Sequence, residues 1–342
     1  MLGDPTIYDI AKRAGVGIAT VSRVLNGSER VASATRLAVQ RAMVELGFRP
    51  NRAARRLAVR GPNRQRVAAL MPFFSASFYF SVSKPLSLGL AAADLDFVLY
   101  NIQDRDDKNR VLDRLVREHA CEGLVLCSMG IPPERVAQLQ QMGIPVVSVE
   151  YALPGVPSVT VDNVAAGTRA ARYLQRGGSK ALALITGSAE TQSFLDREEG
   201  FVAVAGSEAP QLRAEAITPE AGRAAAAALL DHHAQVDGIV CVNDMIAVGV
   251  LEELRARGRQ VPRDVQVIGF DDQPLMDVIG LSTIRQPMGE FGAWAAEAIA
   301  TLLHRPTAGK AASVAALELP VVLVPRATTR APRAARTGKE SP

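Results

Sequence analysis

Arg197, Asn243 and Asp271 each stand beyond a short apolar run, respectively Ala181 to Thr186, Gly238 to Val242 and Val265 to Gly269. A guanidinium, a carboxamide and a carboxylate together can donate to and accept from vicinal hydroxyls. Phe74, Ser75 and Phe78 follow a fourth run, Val67 to Met71, and offer aromatic faces on which a polar ring can stack. Such a set binds; it lacks the partners of a catalyst. His119, His232, His233 and His304 show neither metal-ligand nor triad spacing. Gly15-x-Gly17 opens a helix with no strand before it, and Thr186-Gly187-Ser188 lacks the lysine and serine of a phosphate loop. Each binding residue also has an ordinary reading: Asp271 as a turn cap, Arg197 paired with Asp196 or Glu198, and the phenylalanines as core. Cys121, Cys127 and Cys241 are odd in number and sit in or beside apolar runs, so buried reduced thiols are expected, with no metal and no cofactor.

A second chemistry lies at the N-terminus. From Met1 to Arg66 there are 13 Lys/Arg against 4 Asp/Glu, a net of +9, whereas Val67 to Pro325 has 21 against 30, a net of −9. A basic head on an acidic body points to a polyanion that binds the head alone. Arg23 can donate a bidentate pair to guanine O6 and N7, and Ile18 and Ala19 offer apolar contact such as a thymine methyl accepts. Thr20, Ser22 and Asn26 have short polar tips suited to phosphate.

Short helices must hold these groups. Thr6 and Asp9 make a capping-box start to a helix of about two turns that ends at Ala14-Gly15-Val16. The segment from Ile18 to Asn26 puts Val21, Val24 and Leu25 on one face, giving helix, turn, helix in about 20 residues. Ser33 caps a third helix with Val39, Ala42, Met43 and Leu46 inward, and Gly47 stops it. Amphipathicity alone fits a generic three-helix bundle equally well; charge and turn chemistry favour a DNA-binding one.

The runs Ile7-Tyr8-Asp9-Ile10-Ala11, Ala14-Gly15-Val16, Thr20-Val21-Ser22-Arg23-Val24-Leu25-Asn26-Gly27 and Gly47-Phe48-Arg49-Pro50-Asn51 resemble the LacI/GalR family of bacterial regulators. The resemblance implies that Ile18 to Asn26 is a recognition helix in the major groove and that Pro50 to Ala58 is a hinge helix. It implies a DNA-facing set of Thr6, Tyr8, Gly17, Ile18, Ala19, Thr20, Ser22, Arg23, Asn26, Asn51, Ala54, Arg55 and Leu57, with Leu57 as a minor-groove wedge. Gly17 departs from the family, where serine is common, and costs a few tenths of a kcal/mol as a helix cap. Without DNA the hinge could equally be a basic linker with no structure.

Beyond Gly61-Pro62-Asn63, apolar runs at Val67 to Met71, Phe97 to Tyr100, Gly123 to Cys127, Pro145 to Val149, Ala181 to Thr186, Gly238 to Val242 and Val265 to Gly269 alternate with helix-length segments. That pattern predicts an α/β core of doubly wound parallel sheets. The resemblance implies the periplasmic-binding-protein-like form, two subdomains about a cleft. Its effector-contact positions match Arg197, Asn243 and Asp271 here, and Phe74, Ser75 and Phe78 join them as residues that follow the first strand. The expected organisation is a headpiece at 1–48, hinge and linker at 49–63, a core at 64–326 and a disordered basic tail at 327–342. Subdomain one takes about 64–161 and 287–315, and subdomain two about 162–286 and 316–326. The chain is thus expected to be a transcription regulator acting as a homodimer on a double-stranded palindromic operator under a small-molecule effector, a carbohydrate being favoured. Repressor is the default. Activator remains open, as does a purine or phosphorylated-protein co-regulator. The core alone would fit a solute-binding protein, but the basic head and the absence of a signal peptide or membrane-length apolar run predict a cytoplasmic protein.

Overall fold

The computed structural model describes residues 6–25, 31–46, 65–72, 76–304 and 316–331. The chain divides into two units, Met1–Asn63 and Arg64–Pro342. Expected features at Asn26, Gly47 and the hinge, including Asn51, Ala54, Arg55 and Leu57, lie outside the described residues, as do Phe74 and Ser75.

In the first unit, α1 (Ile7–Ala14), α2 (Ile18–Leu25) and α3 (Ser33–Glu45) pack around Ile10, Ala11, Val21, Val24, Val39 and Ala42. The Thr6 N–H and hydroxyl both donate to the Asp9 carboxylate, at 2.8 and 2.7 Å, which holds the Asp9 pKa below its ordinary value. Gly15 takes a φ of +67° at the turn, a conformation that a Cβ would strain, and Val16 follows it into the edge of the core. The Arg36 N–H reaches the Ala32 carbonyl, so the last helix begins with Ser33 already inside its first turn.

The second unit begins with β1 (Arg66–Met71), α4 (Ala76–Ala92), β2 (Asp96–Asn101), α5 (Arg105–Glu118), β3 (Gly123–Cys127), α6 (Pro133–Gln141), β4 (Val146–Val149) and β5 (Ser158–Thr160). The chain then crosses to a second lobe of α7 (Asn163–Arg176), β6 (Leu182–Thr186), α8 (Gln192–Ala205), β7 (Gln211–Arg213), α9 (Pro219–His232) and β8 (Gly238–Cys241). That lobe continues through α10 (Asp244–Ala256), β9 (Gln266–Asp271), α11 (Met276–Ile279) and β10 (Ser282–Arg285). A return supplies α12 (Met288–Leu303) and β11 (Leu317–Glu318), and β12 (Val322–Val324) crosses once more. The two six-stranded sheets run β11-β5-β4-β3-β1-β2 and β12-β10-β9-β8-β6-β7, all pairs parallel except β10 with β12.

Apolar residues on both faces of the inner strands explain this layering. Val67, Ala69 and Met71 point to a core with Val82, Leu86, Phe291 and Ile299, while Ala68 and Leu70 point to the opposite core with Leu112, Leu115 and Leu139. In the second lobe Ile185, Ile239 and Val267 meet Leu229, Ile246 and Leu254, and Leu184, Ile268 and Ile284 meet Leu174 and Phe201.

Two boundaries differ from expectation. The 316–326 segment does not belong wholly to subdomain two, because Leu317 and Glu318 pair with Val159 and Thr160 of the first sheet. Only from Val322 does it join the second, so three crossovers connect the lobes. The chain beyond 326 is also built into the lobe as far as 331. The Thr328 hydroxyl donates to the Val267 carbonyl at 2.8 Å, the Val267 N–H donates to the Thr328 carbonyl at 2.9 Å, and the Arg330 N–H donates to Gln266 Oε1 at 2.7 Å.

Candidate functional site

Three strands of the two sheets end in non-glycine residues with left-handed backbone: Ser128 after β3 (φ +54°), Glu150 after β4 (φ +63°) and Asp271 at the end of β9 (φ +106°). Side chains rarely tolerate this region, and such outliers gather where the surrounding fold dictates the conformation. Here the result is convergence. Ser128 Oγ donates to Glu150 Oε2, and Gln286 Nε2 donates both to Glu150 Oε1 at 3.2 Å and to Asp271 Oδ1 at 2.8 Å. Gln273 Nε2 donates to Asp271 Oδ2 at 3.0 Å. Carboxylates from separate lobes thus share one amide.

Arg197 comes from the middle of α8, and small residues set its position. A Cβ on Gly200 would lie 2.0 Å from the Val164 carbonyl oxygen, and one on Gly167 would lie 2.2 Å from the Arg197 carbonyl oxygen. Helices α7 and α8 therefore touch backbone to backbone. Arg197 Nε then donates to Asn163 Oδ1 at 2.9 Å and Nη1 to the Val242 carbonyl at 2.8 Å. Its guanidinium lies over the Phe270 ring, 3.6 Å from the centroid. It pairs with neither Asp196 nor Glu198; Glu198 pairs with Arg213 at 2.7 Å.

Burial shifts the charges. Loss of water raises the Glu150 pKa to about 7, with Arg197 and the Ser128 hydroxyl pulling it down and Asp271 pushing it up. Burial likewise raises Asp271, opposed first by Arg197, and lowers Arg197, opposed by Asp271 and Glu150. The Tyr79 phenol is pushed well up by burial and then by Glu150. Behind the cluster Asp244 accepts from the Thr283 hydroxyl at 2.7 Å and the Gln273 N–H at 2.8 Å. Beside it Asp272 is gripped by Arg285 at 2.6 Å and Arg326 at 2.7 Å.

The expected residues fare unequally. Arg197 and Asp271 come together. Asn243 lies at the same strand ends, and its Oδ1 caps α10 by accepting from the Ile246 N–H at 3.0 Å. Phe78 is buried among the core residues of α4 and the first sheet, edge-on to Tyr79 at 5.0 Å, and Tyr79 lies beside Glu150. Sequence reasoning missed Glu150, Ser128, Asn163 and Gln286. The strand-end rule that found Asp271, applied to Pro145 to Val149, points directly at Glu150. A separate cavity of about 330 Å³ opens at the crossovers, walled by residues such as Asp162, Arg169, Glu318 and Pro320 and by none of the cluster.

In the first unit α2 presents Ile18, Ala19 and Arg23 to solvent, with Gly17 exposed ahead of them and Thr20 and Ser22 half-buried at the flank. Thr6 and Tyr8 are exposed as well. All three cysteines are free and buried, and burial raises their thiol pKa values, Cys121 to about 12. Among the described residues no His/Cys/Asp/Glu group could hold a metal ion, and no helix is long and apolar enough to cross a membrane.

Comparison with known proteins follows the same division. Residues 6–51 match the model of bacterial regulatory proteins of the lacI family, and residues 64–310 match that of periplasmic binding proteins and the sugar-binding domain of the LacI family. The regulator CelR of Thermobifida fusca is 33% identical over 306 residues, covering 84% of this chain and 88% of the relative. The ribose operon repressor of Halalkalibacterium halodurans is 30% identical over 331 residues, 95% of this chain and 97% of the relative. Among solved structures, a CelR–cellobiose complex superposes with a TM-score of 0.67 at 28% identity, over 95% of this chain and 99% of that one. The lac repressor dimer bound to operator and an anti-inducer gives 0.68 over 96% and 100%, and at 22% identity it speaks for the fold.

Proposed function

Because the chain belongs to the LacI family of bacterial regulatory proteins, we propose that it represses transcription as a dimer on a palindromic operator and that a carbohydrate in the cleft controls it. The observation that carries the effector half is the convergence of Glu150, Asp271 and Arg197 at strand ends of both lobes, the place where open α/β sheets bind ligands. Carboxylates and a stacked guanidinium are suited to vicinal hydroxyls, and the relatives named for cellobiose and ribose are regulators rather than enzymes. We assign the cleft to binding and not to catalysis.

Operator reading falls to Arg23 with Ile18 and Ala19, whose exposure on α2 supports the assignment. Thr6, Tyr8, Gly17, Thr20, Ser22 and Asn26 are assigned to positioning. Asn51, Ala54, Arg55 and Leu57, outside the described residues, are assigned from the sequence to a hinge helix that folds against its twin on DNA. Pairing is supported by apolar side chains left in water: Phe80 and Leu88 on α4 are 65% and 64% exposed, and Leu275 and Val278 are 67% and 79% exposed. A dimer satisfies these and a two-fold operator together.

The test selects an operator from a random duplex library and follows binding by fluorescence anisotropy, with and without cellobiose, ribose and purines. The expected result is a sequence-specific complex that one sugar weakens or strengthens at least about tenfold. Absence of any preference over random duplex overturns the DNA assignment; a purine response with silent sugars overturns the carbohydrate assignment.

A further inference from the structure

The sign of the charge in the cleft narrows the ligand further, an inference that rests on the reading of this cleft as the effector site. Above neutral pH, where Glu150 has lost its proton, Glu150 and Asp271 bring two carboxylates to the cluster, and the Asp244 carboxyl, which burial pushes toward its neutral form, lies behind them through Gln273. Arg197 is the cation whose charge acts on both Glu150 and Asp271, and two of its five N–H groups serve Asn163 and the Val242 carbonyl. Lys108, on the flank, has its ammonium turned to the Gly130 carbonyl at 2.7 Å. Against the remaining N–H groups of Arg197 stand the free lone pairs of both carboxylates and Gln286 Oε1, a buried oxygen with no donor, so acceptors and negative charge predominate. A hydroxyl or ammonium can give protons to these groups; a phosphate or carboxylate brings only more acceptors and more negative charge.

We propose that the cleft accepts uncharged or cationic polyhydroxyl compounds and rejects their phosphorylated and carboxylated counterparts, with Glu150 and Asp271 as the groups that enforce the choice.

The experiment is isothermal titration calorimetry on the full chain at about pH 8, above the Glu150 pKa of about 7, with matched sets. Each set holds a neutral sugar (ribose, glucose or cellobiose), its amino analogue where one exists, its 1-phosphate, its terminal phosphate and its uronic acid. Substituents at two positions ensure that one of them enters the cleft. The expected result is that for the sugar that binds, at least one anionic analogue is weaker by about a hundredfold, and that Glu150→Gln or Asp271→Asn narrows this gap about tenfold. Exclusion by size alone leaves the gap unchanged in both variants and overturns the proposal. Binding of every anionic analogue within threefold of its parent overturns it too, while leaving the carbohydrate reading intact. Silence of every sugar, charged or not, overturns the reading and the inference together. Circular dichroism of each variant distinguishes lost binding from lost folding, and either of the two variants suffices.

Discussion

Replacing Glu150 by glutamine should make the protein more stable, by a margin that opens above about pH 4.5 and is nearly complete just past neutral pH. The carboxyl titrates at about 7 in the fold against an ordinary 4.5, chiefly because burial strips its water and secondarily because Asp271 is near. Between those values the folded chain keeps a proton that the unfolded chain has released, so stability falls as pH rises through the interval and levels off above it. At about 1.4 kcal/mol per pH unit the loss approaches ~3 kcal/mol by pH 8. Glutamine keeps the shape, its carbonyl oxygen can still accept from Gln286 while its amide N–H donates to the Ser128 hydroxyl, and it carries no charge to desolvate. Differential scanning calorimetry from pH 5 to pH 8.5 should therefore find the two proteins nearly equal at the acid end and the variant melting about 6–12 °C higher at the basic end. A gap that does not change with pH, or a variant that is less stable at pH 8, refutes the reasoning.

Gly200→Ala should destabilise the chain by about 1–3 kcal/mol in denaturant titration and weaken effector binding as well, since a methyl 2.0 Å from the Val164 carbonyl must push α8 and its Arg197 away. Arg23→Ala should remove about 1–3 kcal/mol of discrimination at one base pair per half-site, whereas Arg55→Ala should weaken all duplexes alike and flatten the salt slope, both read by anisotropy. Asp271→Ala should abolish the effector response with operator affinity retained, and Leu57→Ala should do the reverse; a full response from the first would displace the cleft assignment. Truncation after Ala331 should leave the melting temperature within about 1 °C, while truncation after Pro325 should lower it by at least about 4 °C, because it frees Asp272, Ser282 and Gln266 from their partners.

The inner strands were legible because each is covered on both faces, so Gly123 to Cys127 and its counterparts read as continuous apolar runs bounded by turns. The strands that escaped are β5, β7, β10, β11 and β12, at two to four residues each. They lie towards sheet edges and crossovers, where pairing comes from register and not from hydrophobicity. The 327–331 strap was read as tail for a related reason: Thr328, Thr329 and Arg330 dock through hydrogen bonds, which leave no periodicity in the sequence. Arg197 and Asp271 were legible from strand-end chemistry. Glu150 was legible by the same rule, standing just past Val149 at the end of β4, whereas its partner Gln286, 136 residues away, is supplied only by the closed topology. Phe78 was open in the sequence because an aromatic after a strand suits a core and a ligand equally, and in the fold it is buried beside Tyr79.

The interleaved path of the chain bears on how the protein is made. The first lobe holds a berth for α12, whose Gly292 comes so close to α4 that a Cβ would lie 2.1 Å from the Val82 carbonyl oxygen, yet α12 follows the whole run from α7 to β10. The second lobe in turn waits for Thr328, 61 residues after Val267, to close off the edge of its core at the start of β9. At about 5–20 residues per second of synthesis, that edge stands open for roughly 3–12 s after β9 has emerged. Neither lobe can be completed before the other is largely made. A nascent chain therefore holds neither lobe complete until close to its end, after the residues of the cluster, from Ser128 to Gln286, have been made.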